Sequence, residues 1–209
     1  MKKTLVGIIV ALTLLLVWAI TTWQPSTTQT GIHSPLGLAE APRGGDFTLH
    51  SPSGPLALHD LKGKVVLLYF GYTSCPDICP TSLGFTSQAL ASLGKAEQEK
   101  VRMLFVTVDP ERDTLDKLKA YTVYFHPGIV GLSGTPAEID KVAKLYGASY
   151  SKQNTASAGG YVVDHSAYTY VIAPDGNLFK ALDHGTPPAQ VLEAIREAMN
   201  KDDKLITDR

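Results

Sequence analysis

Val65-Val-Leu-Leu-Tyr-Phe70 is six apolar or aromatic residues in a row, with no polar break. A strand with one wet face alternates apolar and polar residues. A strand covered on both faces does not alternate, and such strands belong mainly to parallel sheets with helices on either side. Met103-Leu-Phe-Val-Thr-Val108 repeats the pattern, and Ile129–Ser133 is a shorter third run. Helical signals fall between and after them. Thr135-Pro-Ala-Glu138 is a capping box with proline at the first helical position. Ile139, Val142, Ala143 and Tyr146 follow at helical spacing, and Gly147 stops that helix. Asp113 is expected to cap a helix carrying Leu115, Leu118 and Tyr121, and a last helix starts near Pro188.

Tyr168–Ile172 and Leu178–Leu182 flank Ala-Pro-Asp-Gly-Asn, the turn chemistry of a hairpin. The order is therefore strand, helix, strand, helix, strand, helix, hairpin, helix. Crossover helices imply parallel strands, and the hairpin adds an antiparallel edge. The predicted class is α/β, with a mixed sheet flanked by helices in a thioredoxin-like arrangement over residues 45–200 and a polar tail at 201–209. Functional loops in such sheets lie at the carboxyl ends of the strands. The segment after Phe70 is such a place.

The first 23 residues differ in kind. Lys2 and Lys3 precede a stretch from Thr4 to Trp23 without charge or proline, and Trp18 and Trp23 sit near its far end. About 20 such residues make a helix long enough to cross a bilayer core, and tryptophan favours its interface. No A-x-A cleavage site follows, so 1–23 reads as a retained transmembrane anchor rather than a removed signal peptide. The paired lysines keep its start cytoplasmic. Residues 24–44, rich in Thr, Ser, Pro and Gly, read as a flexible tether. The expected location is the inner membrane of a bacterium, single-pass, with the domain on the periplasmic side. A net charge of −1 with 19 Lys and Arg gives no reason to expect nucleic acid as a partner. A monomer is the default.

Both cysteines lie in the stretch Gly71-Tyr-Thr-Ser-Cys75-Pro-Asp-Ile-Cys79-Pro80. Outside the cytoplasm a cysteine pair can close into a disulfide. A bridge from 75 to 79 would close too short a loop to restrain the unfolded chain much, so a structural staple is the weaker reading. Pro80 argues against one helix carrying both thiols. The economical arrangement starts the helix at Pro80, with Cys79 near its N-cap and Ser74–Ile78 as loop. A thiol at a helix start feels the positive end of the dipole, which favours the thiolate, the form that attacks disulfides and binds metals. Two thiolates can hold Cu(I), and a third ligand makes a closed site. Met1, Met103 and Met199 do not form a methionine-rich copper site. Of the six histidines, His33, His50 and His59 read as surface residues, while His126 and His184 follow a helix and a strand. His165, in Val163-Asp-His-Ser166, enters the 168–172 strand, a segment that faces the cysteine loop in a thioredoxin-like fold. Thioredoxins have a cis-proline there. This chain has no proline between Pro136 and Pro174.

Taken together, Phe70–Pro80, Val108-Asp-Pro-Glu-Arg-Asp-Thr114 and Val163-Asp-His-Ser166 leading to Tyr170-Val-Ile-Ala-Pro-Asp-Gly176 resemble the Sco/SenC family of copper-binding assembly factors for cytochrome c oxidase. Phe47-Thr-Leu and Leu61-Lys-Gly-Lys-Val-Val also fit. The resemblance implies a site of Cys75, Cys79 and His165, with copper as Cu(I) or Cu(II). It also implies a copper-handling partner such as the copper-site subunit of the oxidase. Asp164 is a candidate for orienting the loop or the imidazole, and Asp77 for tuning the loop or favouring the helix start. Asp109–Thr114 reads as turn and cap chemistry beside the site, and no catalytic residue is assigned. The main alternative is a thiol-disulfide oxidoreductase that uses Cys75 and Cys79 to keep a partner's cysteines reduced. Zinc is an alternative metal for two Cys and one His. A peroxidase has no specific residue in its favour.

Overall fold

The computed structural model describes Thr4, Gly7 and residues 12–18, 37–154 and 160–207. They belong to two units, one within Met1–Ile32 and the other within His33–Arg209. In the first unit Thr4, Gly7 and Leu12–Trp18 are helical. The rest of the expected 1–23 anchor lies outside the described residues. Among the described residues no helix is long and apolar enough to cross a membrane.

In the second unit Val65–Gly71, Val101–Thr107 and Ile129–Leu132 are the three buried strands, here β3, β4 and β5. β3 pairs in parallel with β4, and β4 with β5. Thr169–Ile172 (β8) and Leu178–Leu182 (β9) close the other side as an antiparallel pair, β8 running against β3. The sheet order is β5-β4-β3-β8-β9. All seven residues of β3 are buried, as its unbroken apolar run requires. Helices α1 (Ile78–Ala91), α2 (Lys95–Glu99), α3 (Leu115–Phe125), α4 (Pro136–Leu145) and α5 (Pro188–Thr207) complete the layers. The two faces can be told apart by their rings. Phe70 and Tyr170 pack on Tyr146 at the end of α4. Tyr69, pointing the other way by strand alternation, stacks on Phe105, which meets Tyr121 of α3.

Helix α4 follows the sequence expectation closely. Thr135 and Glu138 form the reciprocal capping box, with Pro136 next to the cap. At its far end Ala148 N–H donates to Ala143 O and Gly147 N–H to Lys144 O, a Schellman motif that needs the left-handed φ of +63° at Gly147. Three other expectations shift. Residues 24–36 of the tether lie outside the described residues, but 37–44 are held to the domain. Ala39 donates to Gly147 O, Arg43 and Gly44 donate to Leu145 O, and Leu38 packs on the core. The last helix continues through 201–207, expected as a tail, because no glycine or proline interrupts it. Two short hairpins stand outside the expected elements. One joins β1 (Thr48–Ser51) and β2 (Gly54–Ala57), and the other joins β6 (Tyr150–Asn154) and β7 (Tyr161–His165). β6 and β7 form a sheet of their own and pair with no strand of the central one.

Candidate metal centre

β3 ends at Gly71, and the chain turns through 72–77 into α1. The helix begins earlier than Pro80 suggested. Asp77 is its N-cap, which places Cys79 at the second helical position and Pro80 at the third. Proline is tolerated there because the first four N–H groups of a helix have no internal partner. The carbonyl its ring would clash with belongs to Pro76, which precedes the helix. This reverses the expected roles of the thiols. Cys79 N–H points back at Cys75 Sγ, 3.5 Å away, so the thiol before the helix receives the start of the dipole.

The side chains of Cys75, Cys79 and His165 offer ligand atoms that all lie within 4.8 Å of one another, and the three residues are buried. Cys79 Sγ is 3.2 Å from His165 Nε2. His165 Nδ1–H donates to Ser166 O at 3.1 Å, which leaves the Nε2 lone pair facing the sulfurs. The ring is wedged by the edge-on rings of Tyr69 and Tyr72, with centroids 6.1 and 5.9 Å away. Ser166 is itself pinned. Its hydroxyl donates to Gly37 O, its Oγ accepts from Ser149 N–H, and its N–H donates to Ser149 O. Of the expected polar neighbours, Asp77 caps α1 without a side-chain hydrogen bond to it. Asp164 is next to His165 in β7, where alternation turns neighbouring side chains to opposite faces. The Nδ1 acceptor is therefore the Ser166 carbonyl.

Cys79 reaches the strand end because residue 71 is glycine. A Cβ there would stand 2.8 Å from Cys79 Sγ and 2.9 Å from Phe105 Cε2. Gly71→Ala is expected to destabilise the reduced protein by about 1–3 kcal/mol through overpacking, read by urea unfolding. An unchanged midpoint would show that the fit at Cys79 is looser than these distances.

The two thiols are both free, yet they differ in their acidity. The hydrogen bond from Cys79, with help from the backbone N–H groups of Asp77 and Cys79, brings the Cys75 thiol down to about 4 against the opposing effect of burial. Burial first, then the neighbouring Cys75 sulfur, pushes Cys79 well up. The site at neutral pH is therefore a Cys75 thiolate beside a Cys79 thiol. A depressed pKa stabilises the fold fully above the unfolded value near 9, and that contribution fades as pH falls toward 4. A raised pKa at Cys79 removes stability above that same unfolded value. Stability of the metal-free reduced protein should rise from pH 5 to pH 8 by up to about 1.4 kcal/mol per pH unit from Cys75. Urea unfolding of wild type minus Cys75→Ser at each pH isolates this contribution. A difference that does not vary with pH refutes the thiolate assignment.

Two soft sulfurs and one imidazole suit a thiophilic or borderline metal, not magnesium or calcium. The donor set fits copper or zinc. Comparison with known proteins narrows the family. A sequence model of the SCO1/SenC family matches residues 37–200. The chain belongs to the SCO1/SenC family. "Protein SCO2, mitochondrial" of Saccharomyces cerevisiae is 40% identical over 156 residues, a match covering 74% of this chain and 52% of that protein. The chain thus spans about half the length of that curated relative. The structure "Bradyrhizobium japonicum ScoI with copper bound" is similar with a TM-score of 0.67 at 40% identity, covering 74% of this chain and 98% of the other. BsSco, described as "a member of the Sco family of cytochrome c oxidase assembly proteins" with "a disulfide switch", aligns with a TM-score of 0.59 at 25% identity, covering 79% of this chain and 98% of its own. The central mixed sheet with its flanking helices is thus the fold of solved Sco proteins.

The motif Val108–Thr114 stands beside the site, but its cap is a different residue from the one expected. Asp113 does not cap α3. Thr114 does, accepting from Lys117 N–H. Asp113 is buried and turns inward, where its carboxylate accepts from the backbone and hydroxyl of Thr73 and from the Thr107 hydroxyl. No periodicity signals such a contact.

Proposed function

We propose that this Sco-family chain carries copper for cytochrome c oxidase assembly. It takes one ion between the Cys75 and Cys79 sulfurs and His165 Nε2, and hands it to the copper-site subunit or another copper-handling protein. The proposal includes the inner-membrane anchor at 1–23 and a periplasmic domain. The observation that carries it is the convergence of those three ligand atoms within 4.8 Å in a chain whose Bradyrhizobium relative is solved with copper bound. The site suits transfer. Cys75 is 5% exposed, while Cys79 and His165 are fully covered, so cargo enters and leaves past the Cys75 sulfur. The imidazole is held in the tautomer a metal needs, and one thiol is already ionised, so uptake near neutral pH displaces mainly the Cys79 proton.

The test is titration of the reduced full chain with Cu(I) and Cu(II) in competition with Zn(II). One equivalent of copper is expected, with a thiolate-to-Cu(II) charge-transfer band. Retention of Zn(II) against both copper states would replace copper with zinc.

The unequal thiols also favour a second reading, thiol-disulfide exchange. A Cys75 thiolate attacks one sulfur of a partner disulfide, breaking that S–S bond, forming a mixed disulfide and releasing the other partner sulfur as a thiolate, which takes up the Cys79 proton. Cys79 then attacks Cys75 Sγ, releases the second partner sulfur as a thiolate and leaves a 75–79 disulfide. A trapped mixed disulfide in Cys79→Ser without any metal would support it. The two readings are compatible, since a copper-site partner needs reduced cysteines before loading.

A further inference from the structure

The ribbon β6–β7 carries His165 at its end yet pairs with no strand of the central sheet. A two-stranded ribbon alone is only marginally stable. The position of His165 therefore depends on side-chain ties between this ribbon and the body. One set of ties starts in the turn after β4. Asp109, buried, pairs with Arg112 Nε and accepts from Tyr161 Oη at 2.8 Å. Arg112 donates from Nη1 to Tyr161 O at 2.9 Å and lays its guanidinium 3.7 Å over the Tyr161 ring. Tyr161 is the first residue of the strand that ends at His165.

One residue on, the same turn grips the other half of the site. Asp113 accepts from Thr73 N–H at 2.9 Å, Thr73 Oγ1 at 2.5 Å and Thr107 Oγ1 at 2.7 Å. Lys117 stands 3.5 Å from Asp113 and donates to Ser74 Oγ at 3.3 Å. Thr73 and Ser74 lead directly into Cys75.

We propose that the 109–113 turn is a two-armed positioning device for the metal centre, in which Arg112 on Asp109 sets the His165 arm and Asp113 sets the cysteine arm. The proposal rests on the copper reading above. Arg112 touches neither metal nor ligand atoms. It acts through Tyr161 and, at 5.7 Å, through the Tyr72 ring that packs on His165, so its loss should loosen the imidazole more than the sulfurs.

The experiment uses the full chain, wild type beside Arg112→Gln and Asp113→Asn. Cu(I) and Cu(II) affinities are measured by competition, and the Cu(II) site is read by its charge-transfer band and nitrogen hyperfine coupling. Arg112→Gln should weaken Cu(II) about 10–100-fold, the range for outer residues of a metal site, with Cu(I) little changed. Asp113→Asn should weaken both. Arg112→Gln added to His165→Ala should cost no further Cu(II) affinity, since the two act through one arm. Equal losses of Cu(I) and Cu(II) in Arg112→Gln, or an additive double variant, would reduce Arg112 to a general stabiliser and overturn the proposal. Tyr161→Phe keeps the ring under the guanidinium and removes one hydrogen bond, so it serves if Arg112→Gln does not fold. Its loss should have the same Cu(II) bias. Hydrogen exchange on the metal-free chain separates this idea from the copper reading. Amides 161–165 should exchange faster in Arg112→Gln, with the central sheet unchanged, even if wild type took no copper. Equal exchange in both proteins overturns the proposal whatever the metal does.

Discussion

Serine at both 75 and 79 is expected to abolish copper uptake by the full chain while leaving it folded. The sheet does not depend on the sulfurs. Its core is β3, β4 and β8, buried throughout apart from Arg102, with helices over both faces. A serine hydroxyl at 79 still has His165 Nε2 to meet, so burial leaves no orphaned donor. The metal site, by contrast, loses both of its soft donors, and one imidazole is too little to retain either copper state. Among the described residues no thioether can substitute. Met103 is completely buried in β4, and Met199 packs on the core from α5. Metal analysis after gel filtration, beside circular dichroism of the same samples, reads the result. One equivalent of copper retained by a folded double variant would end the proposal that these sulfurs hold it.

The elements legible in the sequence are those with a strong local cause. Six unbroken apolar residues made β3 legible, and the capping box with Gly147 made both ends of α4 legible. The three metal ligands were legible for different reasons. Cys75 and Cys79 carry their chemistry in their type and spacing. His165 stood out by its place before a strand and by the family resemblance. What stayed hidden depends on distant partners. Polar β6 has no alternation to reveal it, because both of its faces are largely exposed. The start of α1 is not legible because any position in the first turn of a helix accepts proline, and Pro80 stands at the third. Placing Pro80 first puts Cys79, rather than Cys75, where the dipole favours a thiolate. Asp113 looked like a cap because it stands beside Thr114, and its partner Thr73 lies 40 residues away. Gly71 was legible only as the end of a strand. That its missing Cβ makes room for a sulfur needs the third dimension.

His165→Ala is expected to divide the two copper states. Two thiolates satisfy Cu(I), which accepts two soft ligands. Cu(II) prefers nitrogen in its set and more ligands around it. Loss of the imidazole should therefore lower Cu(II) affinity by on the order of 100-fold or more, exceeding what outer residues contribute, while Cu(I) is held nearly as before. The local structure makes the comparison clean. His165 is fully buried with its ring fixed at Nδ1 by Ser166 O and at its faces by Tyr69 and Tyr72, so alanine leaves a ring-sized hole whose walls are held by the rest of the fold. That hole should cost stability as other large-to-small core changes do, about 2–4 kcal/mol. It should also accept free imidazole. Titration of the variant with Cu(II) in the presence of imidazole is the decisive measurement, because restoration of the charge-transfer band depends on a nitrogen at the vacated Nε2 position and not on recovered stability alone. Equal weakening of Cu(I) and Cu(II), or a Cu(II) band unchanged from wild type, would show that the imidazole is not a ligand, however close it lies to Cys79.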